Sequence, residues 1–534
     1  MCNFLCNGTQ IDGPNFRTRR LAKTRCFFLK ASFLIAVIPG LICALAVAPL
    51  SSTAQSTSTS WSDPVDLTAM VQDEVGAYTP RVAADAAGNL HVIWNGYSGP
   101  DPSEGQPRNV IFYTWWNGTL WSRPVDVISA PQSNDWIESD SIVTTPDGYV
   151  LIAWRTVSTM AVSQAPVGKA KDPHEWKTVH FGGGAESGLH PKLAVDPLNL
   201  RWYLSVDDQS SINLLYSEDH GKTWSTPKEI ASVTSASSAF TNDGLAVASD
   251  GSINLVWTEN TEQRNWGGGA IWHARIIADD EIASTIREVA RKPDTDDSTI
   301  AAPILVTGPS GSMHLFWNNG VGSKTGRFHQ WSHDNGITWS EIENVFPGLS
   351  GQTQQAGLVL DSAGVLHLAT SADGFGYSHG VIRSATWEEI PRWSNFIDLW
   401  PELYPGEVPA LCVTEGNRLH LVWNVLEEKQ DGSVYRTVVY STRTVDAQVV
   451  PSHGFISLSF EPSLGEQSSS SQVSAEETRA QTPLPRAIGE NFADNPQTVS
   501  VSDRNLTILL GVTPAMCFVV VVIGLQLRRR RFRD

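Results

Sequence analysis

The sequence predicts an all-β protein folded as a closed, seven-bladed β-propeller. Three observations carry this. A strand–turn–strand unit recurs seven times at spacings of about 50 to 60 residues, too short for each unit to bury a core of its own, so the units must stack on one another. The 534 residues include 20 Trp and 42 Gly but only 5 Met, a composition suited to many short strands joined by turns. Finally, Trp61-Ser62-Asp63-Pro64-Val65, ahead of the first unit, repeats the texture of Trp121-Ser122-Arg123-Pro124-Val125 inside it. An outer strand borrowed from the start of the chain would complete the last blade and leave no sheet edge exposed.

Each unit is an apolar strand, a turn with Asp or Gly, and a second strand that usually ends in Trp. The first runs Val82-Ala83-Ala84-Asp85-Ala86-Ala87-Gly88-Asn89-Leu90-His91-Val92-Ile93-Trp94. The second turns at Pro146-Asp147-Gly148 and ends at Trp154. The third is Leu193-Ala194-Val195-Asp196 leading to Trp202-Tyr203-Leu204. The fourth turns at Asp250-Gly251 and ends at Trp257, and the fifth runs from Pro309-Ser310-Gly311 to Trp317. The sixth is Asp361-Ser362-Ala363-Gly364 with Leu366-His367-Leu368, and the seventh turns at Glu415-Gly416-Asn417 and ends at Trp423. The strands are apolar almost without interruption, as expected of blades covered on both faces. His91, His314, His367 and His420 share one repeat position. Sites spread around a ring cannot form one metal cluster, so these histidines are expected to pack or hydrogen-bond between strands.

Two stretches in the third and fifth units match Ser-x-Asp-x-Gly-x-Thr-Trp: Ser217-Glu218-Asp219-His220-Gly221-Lys222-Thr223-Trp224 and Ser332-His333-Asp334-Asn335-Gly336-Ile337-Thr338-Trp339. The Asp can accept turn N–H groups, the Gly can take a positive φ, and the Trp can fill the space beneath. The motif resembles the Asp box of the sialidase-like (BNR) β-propellers. In the first unit Thr114-Trp115-Trp116-Asn117-Gly118-Thr119-Leu120-Trp121 keeps the Gly-to-Trp spacing but has Trp116 where Asp belongs. The resemblance implies that the boxes are structural and lie away from any active site. It also implies six blades as the alternative count, since six is usual in that family. It extends over about residues 60 to 450 for fold but not to catalysis. The family's carboxylate-clamping arginines begin with an Arg-Ile-Pro-type motif, and here Thr79-Pro80-Arg81-Val82 has Pro and Arg in the reverse order. Arg155, Arg264, Arg327 and Arg383 lie in no transferable motif.

Outside the propeller, expected over residues 57–452, the ends point to a membrane. Residues 1–54 read as an export signal: basic residues through Lys30, then an apolar run from Ala31 to Leu50, with cleavage after Ala54 or retention as an anchor. Residues 461–504 are Ser- and Pro-rich without apolar periodicity, the texture of a disordered stalk. Leu506–Leu527 carries no formal charge and is long enough to span a bilayer. The basic tail 528–534 would stay cytoplasmic, placing the propeller outside. The net charge of −18 falls on the middle of the chain, because both ends are basic. An outward domain this acidic is a poor partner for nucleic acid or an anionic membrane surface. Four of the six cysteines lie in the leader and Cys517 in the span, so Cys412 has no partner within the propeller. Nothing suggests a metal site or another cofactor. Asp294-Thr295-Asp296-Asp297 could attract Ca²⁺ but is more simply a solvated loop.

A propeller presents its site at the mouth of the central channel. Residues just before each first strand are therefore candidates: Asp140, Asp243 and Glu407 as catalytic carboxylates, and Arg81, Glu138, His190 and Gln355 as ligand-binding groups, with Asn242 nearby. Residues just after the second strands form another set: Arg155, Asp207, Asp208, Glu259 and Asn318. For each alone, a turn cap or a rim ion pair is the competing reading. Two functions stay open. One is a surface-displayed propeller that recognises a glycan or another extracellular partner without catalysis. The other is a glycoside hydrolase, sialidase-like by fold (an exo-alpha-sialidase if it follows the resemblance), with a divergent site. Two carboxylates about 5 to 10 Å apart would favour the enzyme.

Overall fold

The computed structural model describes residues 60–451, apart from 72–75, 101–106, 132–134, 158, 182–188, 236, 262–267, 278–283, 293–299, 320–325, 348–355, 373–378, 390–391, 404 and 429–433. The predicted leader, stalk, span and tail, and the acidic turn 294–297, lie outside the described residues. Among those described, no helix is long and apolar enough to cross a membrane.

The fold is a seven-bladed β-propeller, almost without helix. Blades 1 to 5 are four-stranded antiparallel sheets that open with the inner strands Ala77–Ala84, Glu138–Thr144, Lys192–Val195, Ser238–Val247 and Ile300–Thr307. Blade 6 opens with Ala356–Leu360, and two short segments, Arg392–Trp393 and Ile397–Leu399, share its outer edge. Blade 7 comprises Gly406–Thr414, Arg418–Glu428 and Val434–Thr444. Its outer strand is Val65–Asp66 from the start of the described chain, with Val65 opposite Tyr440. The ring therefore closes as the sequence predicts, with seven blades rather than six. The inner strands of successive blades touch one another all the way round, including blade 7 on blade 1, and so line the channel.

The second strand of each blade is the most buried. Its Trp residues Trp94, Trp154, Trp257, Trp317 and Trp423 are at most 2% exposed, wedged between blades. Each indole removes roughly 150–250 Å² from water, so these positions anchor the inter-blade core. Blade 3 differs: Trp202 stands at the start of its strand, and Val206 occupies the late position. The four repeat histidines hydrogen-bond between strands or to turns, as expected. His91 Nδ1 lies 2.7 Å from the Tyr113 hydroxyl, His314 Nδ1 3.1 Å from His329 Nε2, His367 Nε2 2.9 Å from Asp361, and His420 Nδ1 2.8 Å from the Tyr440 hydroxyl. Burial pushes His314 and His420 down to about 3, so both are neutral.

The two Asp-box turns are near-copies. Asp219 Oδ1 accepts the Thr223 N–H at 2.9 Å and Oδ2 its hydroxyl at 2.6 Å; in the other turn Asp334 and Thr338 repeat this at 2.8 and 2.6 Å. Gly221 and Gly336 take φ of +72° and +82°. A Cβ on Gly221 would sit 2.8 Å from the Trp202 ring. The incomplete copy in blade 1 is rescued differently: Asn117 Oδ1 accepts the N–H groups of Thr119 and Leu120 at 3.0 and 2.9 Å. All three turns leave the third strand of their blade, so they lie at the end of the blades where inner strands finish.

Candidate functional site

At the opposite end, inner strands begin and second strands finish. Antiparallel pairing puts Glu138 opposite Arg155, Tyr78 opposite Asn95, Thr241 opposite Thr258 and Glu407 opposite Asn424. The two candidate sets read separately from the sequence therefore share one mouth.

The backbone at this mouth is irregular in a repeated way. In blades 1, 2, 4, 5 and 7 the register slips by an extra residue or two near the start of the inner strand. Such bulges re-aim side chains. In blades 1, 5 and 7 the slip holds Thr79-Pro80, Ala302-Pro303 and Val408-Pro409, with φ of +47°, +52° and +48° at the residue before proline. Non-glycine residues are rarely found in this region, and backbone strain of this kind gathers at functional sites. In blades 2 and 4 the slip falls at Asp140 and Asp243.

Asp140 is the hub of a charge network that crosses three blades. Its Oδ2 accepts Arg155 Nε at 2.9 Å and its Oδ1 lies 3.4 Å from Lys192 Nζ of blade 3. Arg155 also donates from Nη2 to Glu138 at 2.5 Å. Arg81 of blade 1 faces the same two carboxylates. Burial alone would push Asp140 up; Arg155, then Lys192, His190 and Arg81, outweigh it and hold the carboxyl below its ordinary range. Burial likewise opposes the charge on Arg155, but Asp140 and Glu138 reverse that and raise its pKa. Asp140 thus does not cap a turn; it is an ionised counter-charge.

His190 stands on the next carboxylate. Its Nδ1 lies 2.9 Å from Asp207 Oδ2 and its backbone N–H donates to Oδ1 at 2.5 Å. Asn242 of blade 4 closes this junction, donating from Nδ2 to the His190 carbonyl at 2.7 Å. Asn95 performs the same stitching between blades 1 and 2, accepting from the Ser139 hydroxyl at 2.8 Å. Asp243 sits in a different environment. Burial pushes its carboxyl up to about 6, with Thr258 Oγ1 donating at 2.6 Å and Lys192 and His190 pulling only partly the other way. Asp140 and Asp243 therefore flank Lys192 and His190 in opposite protonation states only below about pH 6, where Asp243 holds its proton and Asp140 does not.

Glu407 belongs to a second cluster where blade 7 meets blade 1. It accepts Arg436 Nε at 3.0 Å, and the Arg436 guanidinium stacks 4.6 Å above the Tyr78 ring. Tyr78 packs edge-on against Tyr97 and Trp136, at centroid distances of 6.5 and 5.1 Å. All three residues are half-buried. The remaining sector is different: blades 5 and 6 bring Ala302, Pro303, Ile304, Ala356 and Gly357 to the equivalent positions.

The other candidates are spread out. Gln355 and Arg264 lie outside the described residues. Asp208 caps its own turn, accepting from the N–H groups of Ser210 and Ser211 at 3.0 and 2.7 Å. Glu259 accepts Trp272 Nε1 at 2.9 Å, and Asn318 lies opposite Arg327 in the sheet. Arg383 pairs with Asp398 at 2.8 Å on the outer part of blade 6. Sequence reasoning missed Lys192, Arg436, Thr258 and the aromatic trio. Lys192 was findable, because Pro191-Lys192 aligns with Pro80-Arg81 when the inner strands are superposed by register. Arg436 sits on a third strand, and no repeat signal marks it. Among the described residues, no cluster of three or more His, Cys, Asp or Glu could hold a metal ion. Cys412 is a free thiol whose pKa is raised by burial.

No known protein family matches the chain, and no curated protein matches it in sequence. Solved structures do. One is a protein of unknown function from Dyadobacter fermentans, 15% identical over 72% of this chain and 99% of that one, at a TM-score of 0.42. Another is the NanB sialidase of Streptococcus pneumoniae, 14% identical over 69% of this chain and 68% of that one, at 0.40. A third is the polysaccharide lyase Uly1, 10% identical over 72% of this chain and all of that one, at 0.45.

Proposed function

We propose that the chain is an outward-facing propeller, tethered to the membrane by Leu506–Leu527, that recognises a glycan at the mouth where blades 7, 1, 2, 3 and 4 meet. One observation carries the reading: half-buried aromatic rings (Tyr78, Tyr97, Trp136) stand at the same mouth as the ion pairs Arg436–Glu407 and Arg155–Glu138, whose arginines keep partly exposed edges. Sugars need this combination, apolar ring faces for their C–H surfaces and fixed polar groups for their hydroxyls. The bracing across blades supplies preorganisation, which lowers the entropic cost of binding.

The test is binding of the detergent-solubilised full chain to a panel of immobilised oligosaccharides, with a Trp136→Ala variant alongside. Saturable binding that weakens at least tenfold in the variant is expected. Absence of binding to every glycan by folded protein would defeat the reading.

A glycoside hydrolase is the second reading. It is favoured by the contrast between Asp243, protonated up to about pH 6, and the ionised Asp140, since environments that push two carboxylates apart separate acid from base. Turnover of chromogenic glycosides that disappears in Asp243→Asn and Asp140→Asn would establish it.

A further inference from the structure

We infer that this mouth selects uncharged sugars and rejects those carrying a carboxylate or sulfate, because, among the described residues, Arg155, Lys192 and Arg436 already hold internal carboxylates where an anionic ligand would have to sit. The inference rests on the glycan-recognition reading above and names its ligand class.

The geometry is a set of closed pairs. Arg155, the most central cation, spends its Nε on Asp140 and an Nη on Glu138. Lys192 reaches the other oxygen of Asp140. Arg81 faces both of these carboxylates, and Arg436 is held by Glu407. The Asp140 side chain is only 5% exposed, whereas Arg155 keeps 21%, Glu138 29% and Arg436 27%. A ligand can thus touch the pairs at their edges but meets each cation with its counter-charge in place. To reach Arg155 Nε or Lys192, an entering carboxylate would have to displace Asp140, whose side chain is buried, or share its cations with it. Two anions on one set of cations repel, and a truncated charge pair leaves a buried ion uncompensated. A hydroxyl faces no such conflict, because it can donate to Glu138 or Glu407 and accept from Arg155 or Arg436 without changing the charge balance. The aromatic trio then supplies most of the contact area, which is insensitive to ligand charge.

The experiment compares matched ligands on the full chain in detergent: neutral galacto-oligosaccharides against galacturonic acid oligomers of equal length, at low and moderate salt. Wild type should bind the neutral series at least tenfold more tightly, with little salt dependence. Asp140→Asn removes the internal counter-charge and should move that preference towards the uronates by at least tenfold, with affinity for them now falling as salt rises. Glu138→Gln, on a more exposed side chain, should move it the same way by a smaller factor and serves if the first variant does not fold. Tighter uronate binding by wild type, or a preference unmoved in a folded variant, overturns the inference while leaving glycan recognition standing. If wild type binds neither series, and no other glycan in the panel, the recognition reading fails and the inference falls with it.

Discussion

The two ends of the same strands solve the problem of polar residues in opposite ways. At the end that carries the Asp boxes, the box carboxylates Asp219 and Asp334 are satisfied by their own turns. Asp219 and Asp334 accept from Ser and Thr residues within four positions in the chain, at 3.0, 2.9 and 2.6 Å in one turn and 2.8, 2.8 and 2.6 Å in the other. The largest influence on Asp219 is the Thr223 hydroxyl, and its pKa is drawn down to about 2 by local donors alone. At the mouth, Asp140 takes its partners from residues 15 and 52 positions away, and blades 1, 2 and 3 all contribute. Each box carboxylate is therefore a local clip, while Asp140 belongs to a network that joins three blades. A network transmits the loss of one member to the rest; a clip does not.

The largest test of this difference is Arg155→Met. It leaves Asp140 and Glu138 without their shared cation, and breaking a buried pair from one side costs about 3–5 kcal/mol. Urea unfolding should show a loss at the high end of what single substitutions cause. Replacing Asp140 as well, in Arg155→Met/Asp140→Leu, should recover part of it. A loss below about 1 kcal/mol would mean that the network is surface decoration.

Asp243 gives a second test, with a sign that depends on pH. Its folded pKa of about 6 lies above the ordinary carboxylate value, so the native state holds the proton more tightly than the unfolded chain. That contribution is complete below about pH 4 and is lost as pH rises through about 6. Asp243→Asn removes the titration and keeps an acceptor for Thr258. Its melting temperature should exceed that of wild type at pH 8, by the equivalent of roughly 3 kcal/mol, and match it near pH 4. A difference that does not vary with pH would show that Asp243 is not desolvated.

At the box end, Gly221→Ala should cost about 1–2 kcal/mol, because it places a Cβ at positive φ and against the Trp202 ring. Asp334→Ala should be the mildest, about 1 kcal/mol, the loss of a local turn acceptor. Both losses should be the same at low and high salt and should add in the double variant. Strong non-additivity between Gly221→Ala and Asp334→Ala would erase the distinction between clips and network.

The same contrast explains what could be read before the structure. The propeller, its seven blades and its closure through Val65 were legible because repeats, buried Trp positions and turn signals are local, and they recur. The turn hydrogen bonds of Asp219 and Asp334 and the inter-strand contacts of the repeat histidines were legible for the same reason. Of the site, the candidates Arg81, Glu138, Asp140, His190, Asp243 and Glu407 were found by their place in the repeat. Their partners were not: Lys192 required the exact strand register, and Arg436 required knowing that a third strand of blade 7 approaches Tyr78 of blade 1.

By itself, then, the chain determined the blades and the positions that reach the mouth, since alternation, turn chemistry and apolar burial act over a few residues. Only the closed ring decided which charges meet, and hence that Asp140 is ionised, that Asp243 holds its proton to about pH 6 and that Arg155 and Arg436 are already paired. Electrostatic pairing depends on distance and burial between residues far apart in sequence, and neither exists until the last blade meets the first.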